Sequence, residues 1–226
     1  MAGRVTFGKS SGLPGTSSQR EVSNVSTRDY KPDDGATSID WANHNYPPGL
    51  RMVHFDPDEL PTSVARIARA LHWMFLLAAV VLFINITHTI VLVVAGLPAT
   101  RIGYSILNAL ILIPSFGATF YQGYLAMATS EETKKKRYYL CQAICIAISL
   151  YFFLSPLGAT NGVCSYVTIP RKVTRYHLSG GINTFWMYAA GIESTFWCVV
   201  SCIGISSLIS VKRFNPFHSD AARNPA

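Results

Sequence analysis

Residues 70–96 read ALHWMFLLAAVVLFINITHTIVLVVAG, a stretch without any Lys, Arg, Asp or Glu. About 20 helical residues cross the ~30 Å hydrocarbon core of a bilayer. The stretch is long enough to do so, and only His72 and His88 in it can carry a positive charge. It predicts a transmembrane helix, and therefore a membrane protein.

Three further stretches have the same character. We predict the four spans at about 70–96, 102–128, 138–158 and 182–210, and the fourth contains one acid, Glu193. The first two spans are joined only by Gly96–Arg101, so they are antiparallel neighbours. The predicted fold class is an all-α membrane protein, with a four-transmembrane-helix bundle over residues 70–210.

The composition excludes two other classes of protein. Hydrophobic residues make up 50% of the chain and charged residues only 14%, against about 25% charged residues in a typical soluble domain. The Lys and Arg residues lie in short runs between the apolar stretches, and not on a polar face with aromatics between them. We therefore predict neither a soluble enzyme nor a nucleic-acid-binding protein.

The basic residues near the span ends predict the orientation. Eight lie on one side of the bundle: Arg66, Arg69, Lys134, Lys135, Lys136, Arg137, Lys212 and Arg213. Four lie on the other side: Arg101, Arg171, Lys172 and Arg175. Because cytosolic loops carry the excess of Lys and Arg, both tails are predicted to be cytosolic.

The polar ends of the chain divide into three segments. Residues 1–44 are rich in Gly, Ser, Pro and Asp and are predicted to be a disordered cytosolic tail. Residues 45–69 are predicted to be an ordered pre-membrane segment, with a helix that starts at Pro61 and continues into the first span. Residues 211–226 are predicted to be a cytosolic C-terminal tail. No signal-peptide core is found in residues 1–60, although the first twenty residues are basic and Ser-rich, as in a mitochondrial presequence.

Several motifs in the chain are similar to those of a known family. They are Asn45-Tyr46-Pro47-Pro48, the aromatic-acidic stretch His54–Pro61, His72-Trp73-Met74-Phe75 in the first span, Pro114-Ser115-Phe116 in the second and Gly191-Ile192-Glu193 in the fourth. Together they resemble the secretory carrier-associated membrane proteins, the SCAMP family of four-span post-Golgi proteins. The resemblance covers about residues 43–214.

The chain departs from the family pattern at two places. Family members usually carry several Asn-Pro-Phe repeats in the N-terminal tail, whereas this chain has a single copy, Asn215-Pro216-Phe217, near its C-terminus. The family's Cys-Trp-Tyr-Arg-Pro peptide corresponds here to Thr119–Tyr124, which lacks the Cys, Trp, Arg and Pro. The resemblance is therefore to a divergent member.

Glu193 is the main candidate for an intramembrane site. It lies 11 residues into the fourth predicted span, and Asn85 lies at the same depth in the first, about 16 Å at 1.5 Å per residue. An ionisable residue at such depth is a functional hypothesis by default. We predict a neutral Glu193 that hydrogen-bonds across the bundle to Asn85, with proton or ion transport as the alternative.

Two further sets of residues are candidates for contacts outside the membrane. Lys134, Lys135, Lys136 and Arg137, with Arg66 and Arg69, are predicted to contact anionic lipid of the cytosolic leaflet, or else only to set the orientation. Glu131–Lys135 and Glu132–Lys136 are predicted ion pairs at i,i+4 spacing. Asn215, Pro216 and Phe217 are predicted to form a turn with one aromatic anchor and to bind EH-domain endocytic proteins.

No catalytic, cofactor or metal site is predicted. The four cysteines within the spans, Cys141, Cys145, Cys198 and Cys202, repeat at i,i+4 with small residues, a spacing typical of close helix packing. No nucleophile, base and orienting group can be assembled from the sequence.

The resemblance implies a non-enzymatic, multi-pass membrane component of post-Golgi and endosomal recycling carriers, acting in vesicle-mediated protein transport. It would lie in the trans-Golgi network, endosomes, secretory vesicles or plasma membrane, as a homo- or hetero-oligomer or alone. Two alternatives stay open at this point: a small transporter or channel subunit that uses Glu193, and an accessory subunit of a mitochondrial inner-membrane complex.

Overall fold

The computed structural model describes residues 39–129, 131–155 and 159–213. It is all-helical over these ranges, with one isolated bridge between Tyr46 and Val53 and a 3₁₀ turn at Pro57–Glu59. The five helices are α1 (Thr62–Val94), α2 (Thr100–Thr129), α3 (Glu132–Leu154), α4 (Ser165–Arg175) and α5 (Gly180–Arg213). Helices α1, α2, α3 and α5 are long and apolar enough to cross a membrane, which confirms the predicted fold class.

The four long helices form a closed bundle. Helix α1 packs against α2 and α5, α3 packs against the same two helices, and α4 packs against α5. We call the end with Thr62, Thr129, Glu132 and Arg213 the inner end, and the end with Val94, Thr100, Leu154 and Gly180 the outer end. Large apolar side chains such as Trp73, Phe83 and Leu110 are exposed on the outside of the bundle, as expected for a surface in contact with lipid.

Three apolar clusters follow one another along the interior. The cluster at the inner end includes Leu71, Phe120 and Tyr138, and the middle cluster includes Met74, Phe116 and Trp197. The cluster at the outer end is formed by Leu92, Leu97, Ile169, Trp186 and Ala190. Since Ile169 belongs to α4, this short helix closes the outer end of the bundle.

The helix ends differ from the predicted span ends. Helix α1 begins at Thr62, which confirms the predicted helix that starts at Pro61 and continues into the first span, whereas α5 continues past residue 210 to Arg213. The predictions followed the apolar stretch, but a helix continues through the polar interface where its backbone groups still pair internally. The boundary drawn at residues 69 and 70 therefore falls inside α1.

The third span is shorter at its outer end than predicted. Helix α3 stops at Leu154, and Ser155 is extended, as favoured for a residue before a proline. The chain then folds back on the helix end, with the N–H groups of Gly162, Val163 and Cys164 bonded to the carbonyls of Ser155, Phe153 and Leu154. A Cβ at Gly162 would lie 2.5 Å from the Ser155 carbonyl oxygen, so only glycine fits this close approach.

The pre-membrane segment packs on the inner ends of α1 and α2. The ring of Phe55 lies 4.8 Å from that of Phe120 and 5.0 Å from that of Tyr124, centre to centre. The hydroxyl of Tyr46 lies 3.0 Å from Nε2 of His72, and the Tyr124 hydroxyl bonds the backbone of Asp56. Edge-to-face aromatic contacts thus fix this segment to the bundle.

Candidate functional site

Glu193 of α5 lies at the centre of a buried polar network. Asn85 of α1 donates from Nδ2 to Glu193 Oε2 at 2.9 Å. His88, one turn further along α1, places Nδ1 2.8 Å from Glu193 Oε1. The structure therefore brings Glu193 and Asn85 together and adds His88 as a direct partner.

A further partner comes from the segment between α3 and α4. Asn161 donates from Nδ2 to Glu193 Oε1 at 2.9 Å, and its backbone N–H lies 3.3 Å from Glu193 Oε2. Only 1% of Asn161 is exposed, so this segment enters the bundle. Sequence reasoning missed Asn161, because the pair Asn161-Gly162 indicates a turn without giving its direction.

Two fixed partners set the orientation of the amides. Trp186 Nε1–H donates to Asn161 Oδ1 at 2.7 Å, so Nδ2 of Asn161 must face Glu193. Asn85 Nδ2 also donates to the Ala159 carbonyl at 2.8 Å, and a carbonyl can only accept. Three N–H donors therefore point at the carboxyl group, whose two oxygens accept from Asn85 and Asn161. The hydrogen bond between Asn85 and Glu193 is the contact that the sequence predicted, and the neutral form of Glu193 stays a prediction.

The network extends to α2 through two hydroxyl groups. Ser105 Oγ donates to Asn85 Oδ1 at 2.8 Å, and Thr89 Oγ1 lies 2.9 Å from Ser105 Oγ. Asn85, Thr89 and Ser105 are all buried. The polar groups thus join α1, α2, α5 and the segment around Asn161, the arrangement of a structural tie between helices.

The same geometry argues against a metal cation bound at Glu193. A hard cation binds several oxygen ligands at once, whereas the Glu193 carboxylate faces N–H donors. Within residues 39–129, 131–155 and 159–213 no group of three or more His, Cys, Asp and Glu side chains could hold a metal ion. These contacts concern a bound metal cation only, and proton or ion transport through Glu193 stays a prediction.

The four basic residues at the start of α3 differ in their exposure and in their contacts. Lys134 Nζ lies 2.8 Å from Glu131 Oε1, an i,i+3 pair in place of the predicted i,i+4 pair of Glu131 with Lys135. Lys135 is buried, whereas Lys136 and Arg137 are exposed. The four residues thus point in different directions around the helix, and two of them face outward.

The two basic residues at the start of α1 also differ from each other. Arg69 forms an ion pair with Asp58 of the pre-membrane segment. Arg66 is exposed and forms no ion pair with any described residue. Arg69 therefore connects the segment to the bundle, and Arg66 is left on the surface of the inner end.

His54 is the buried titratable group of the pre-membrane segment. Its Nδ1 lies 2.9 Å from the Asn43 carbonyl oxygen and its Nε2 lies 2.8 Å from Glu59 Oε2. Burial lowers the pKa of His54, but the hydrogen bonds to Glu59 and Asn43 outweigh it, so the pKa is raised above its usual value. The segment is thus held by a histidine whose charged form is favoured in the docked state.

The Asn215-Pro216-Phe217 motif lies outside the described residues. It stays a prediction of the sequence.

The comparisons with known proteins identify the family. A family model described as the SCAMP family matches residues 43–216, which include the pre-membrane segment and all five helices. No curated protein and no solved structure matches the chain. Because the match covers most of the chain, the protein belongs to the SCAMP family of membrane-trafficking proteins.

Proposed function

We propose that this protein is a non-enzymatic, integral component of post-Golgi and endosomal recycling carriers, acting in vesicle-mediated protein transport. The observation that carries the proposal is the family match over residues 43–216. It spans the membrane bundle and the segment docked on its inner end. The matched region is thus one folded unit with a structured surface, and not only a membrane anchor.

The polar interior of the bundle supports a non-enzymatic role. The hydrogen-bonding groups around Glu193 are saturated by one another, and the carboxylate is buried. A catalytic carboxylate has to reach a substrate, and this one is enclosed by Asn85, His88 and Asn161.

Localisation of the full-length protein with a C-terminal tag tests the proposal. We expect puncta that overlap with endosomal and Golgi markers, and slower recycling of an internalised receptor after depletion of the protein. Expression of the untagged chain should restore recycling. A mitochondrial pattern, or unchanged recycling after complete depletion, would contradict the proposal.

We also propose that the inner end contacts anionic lipid of the cytosolic leaflet. The candidate residues are Lys134, Lys135, Lys136, Arg137, Arg66 and Arg69, and the exposed members without an ion pair to a described residue are Arg66, Lys136 and Arg137. Each basic residue near such a surface contributes about 1 kcal/mol before screening by salt.

The double variant Lys136→Gln, Arg137→Gln should weaken binding of the full-length protein to phosphatidylserine, measured by native mass spectrometry in detergent. Lys134→Gln with Glu131→Gln is the matched control, since it removes an existing ion pair. Equal loss of phosphatidylserine binding in both variants would contradict the proposed lipid contact. The basic residues would then serve only to set the orientation of the protein in the membrane.

The C-terminal motif is proposed to bind an EH-domain protein. Pro216 fixes φ near −65°, Asn215 favours a turn, and Phe217 is then presented as a single anchor. One copy should bind weakly, with a Kd between about 1 μM and 1 mM. Titration of a 209–226 peptide against an EH domain should show binding that Phe217→Ala abolishes, and equal affinity of the two peptides would remove the motif from the proposal.

A further inference from the structure

The outer end of the bundle is basic and contains no acid in its connecting segments. Residues 95–101 and 155–181 contain Arg101, Arg171, Lys172 and Arg175 but no Asp or Glu. The positive-inside bias disfavours such a cluster on the side opposite the cytosol. The positive-inside bias therefore does not explain why these basic residues lie at the outer end.

Two of these cations lie against one buried indole. The Arg101 guanidinium carbon is 5.4 Å and the Lys172 ammonium nitrogen 5.7 Å from the centre of the Trp186 ring. Trp186 is itself fixed, because it is 1% exposed and its Nε1–H donates to Asn161. Helices α2, α4 and α5 thus hold two positive charges beside the same ring.

Among the described residues, neither cation has a carboxylate partner. No Asp or Glu of the described ranges lies within ion-pair distance of Arg101 or Lys172. The Arg101 Nε atom is buried and, among the described residues, finds no acceptor. A buried donor without an acceptor destabilises a fold, so the site gains from an anion that supplies one.

The positive charges of Arg101 and Lys172 repel each other, which affects the pKa of Lys172. Burial, and then the like charge of Arg101, lower the pKa of Lys172. The acid that attracts Arg101 at longer range is Glu193, which is buried and already bonded to Asn85, His88 and Asn161. An anion placed between the two cations would relieve this repulsion.

We propose that Arg101 and Lys172 bind the phosphate of a phospholipid in the leaflet at the outer end. Arg101 is the second residue of spanning helix α2, the level at which lipid phosphates lie. A guanidinium binds phosphate through two parallel hydrogen bonds, and an ammonium adds a point charge.

Helices α4 and α5, which carry Lys172 and Trp186, also have exposed apolar side chains. Tyr166 and Val167 of α4 are exposed beside α5, where Tyr188 is also exposed. Tyr166, Tyr188 and Ile192 line an open groove of about 340 Å³ between these helices. A short helix with basic and apolar exposed residues is typical of a segment lying in the membrane interface.

Hydrogen exchange of the α4 amides in the full-length protein tests the proposal at the outer end itself. The protein is kept in maltoside detergent, which contains no phosphate, and titrated with palmitoyl-oleoyl phosphatidylcholine. We expect α4 to become protected with increasing lipid. Palmitoyl-oleoyl glycerol, which lacks the phosphate, and glycerol phosphate, which lacks the chains, should protect it far less.

The double variant Arg101→Gln, Lys172→Gln should raise the lipid concentration for half-maximal protection by about tenfold or more, the usual effect of losing hydrogen bonds to a charged group. The double variant Arg171→Gln, Arg175→Gln is the matched control, because it removes the same charge from the same end. It should change the lipid concentration for half-maximal protection less than about threefold. Should the double variant not fold, Lys172→Gln alone should weaken protection and Lys172→Arg restore it.

Three results would overturn the proposal. They are equal protection by palmitoyl-oleoyl glycerol, equal protection by glycerol phosphate, and equal weakening in the control and the Arg101, Lys172 variants.

Discussion

At the scale of single residues, the burial of Glu193 is explained by the number of its hydrogen-bond partners. A buried carboxylate is costly unless its oxygens are hydrogen-bonded. Each oxygen here has two partners, Asn85 and the Asn161 N–H on Oε2, and His88 and the Asn161 amide on Oε1. The sequence could indicate the depth of Glu193 and Asn85, but Asn161, which bonds both carboxyl oxygens, comes from a connecting segment.

Replacement of Glu193 by Gln is expected to destabilise the bundle by about 1–3 kcal/mol, the cost of a buried polar group left unpaired. The new amide has one NH₂ end, which must face a donor of Asn85 or Asn161. Thermal unfolding of the purified protein in detergent measures the effect. Thr195→Val, at an exposed position two residues away on α5, is the control. An unchanged melting temperature in Glu193→Gln would indicate that Glu193 is protonated in the native protein.

At the scale of elements, the four spans were predictable because lipid leaves the backbone no partner except the helix itself. A long apolar stretch without charges is therefore expected to cross the membrane as an α-helix. The start of α1 was predictable from Pro61, but the other helix ends were less accurate, since the polar end of α5 continues the helix to Arg213 beyond the apolar stretch. Composition fixes the apolar core of a span and not its full length.

The segment that connects α3 to α5 at the outer end could not be predicted from hydropathy in the same way. Helix α4 is short, polar and contains Pro170, so its pattern did not stand out from a loop. The inward fold of Asn161 depends on the close approach of Gly162 to Ser155 and on the hydrogen bond from Trp186, which lies in the next spanning helix. Such contacts have no local signal in a single sequence.

Docking of the pre-membrane segment is expected to weaken as pH rises. The pKa of His54 is raised in the folded state, mainly by Glu59 against the effect of burial. Its contribution to stability is therefore fully present below the unfolded-state pKa, about 6.5, and is lost as pH rises through the higher folded-state pKa. Hydrogen exchange of amides 43–60 between about pH 6 and 8, corrected for intrinsic rates, should show the loss of protection.

Two variants separate His54 from other effects of pH on this segment. Glu59→Gln removes the negative charge beside His54 Nε2, leaving only a neutral amide there, and should abolish most of the pH dependence. His44→Gln changes an exposed histidine nearby and should leave the dependence intact. The same pH dependence in Glu59→Gln as in the wild type would exclude His54 as its source.

At the scale of the whole molecule, charge is divided between the two ends of one bundle. The inner end carries acids among its bases, such as Glu131 beside Lys134 and Asp58 beside Arg69. The connecting segments of the outer end carry bases alone. The two ends therefore present different surfaces to the two leaflets, and the orientation decides which leaflet meets each.

The orientation itself is tested with cysteines in sealed vesicles whose cytosolic face points outward. Cys164 lies just before α4 at the outer end and is exposed, whereas Lys136 is exposed at the inner end. An impermeant maleimide should label Cys164 only after detergent opens the vesicles, because the excess of Lys and Arg predicts a cytosolic inner end. In a Cys164→Ser background, Lys136→Cys should react at once in sealed vesicles. The cysteines within the spans should stay unlabelled in both cases, since the reagent needs a thiolate in contact with water.

Reaction of Cys164 in sealed vesicles, with Lys136→Cys protected until they are opened, would invert the orientation. The Arg101 and Lys172 pair would then face the cytosolic leaflet, and both tails the opposite side.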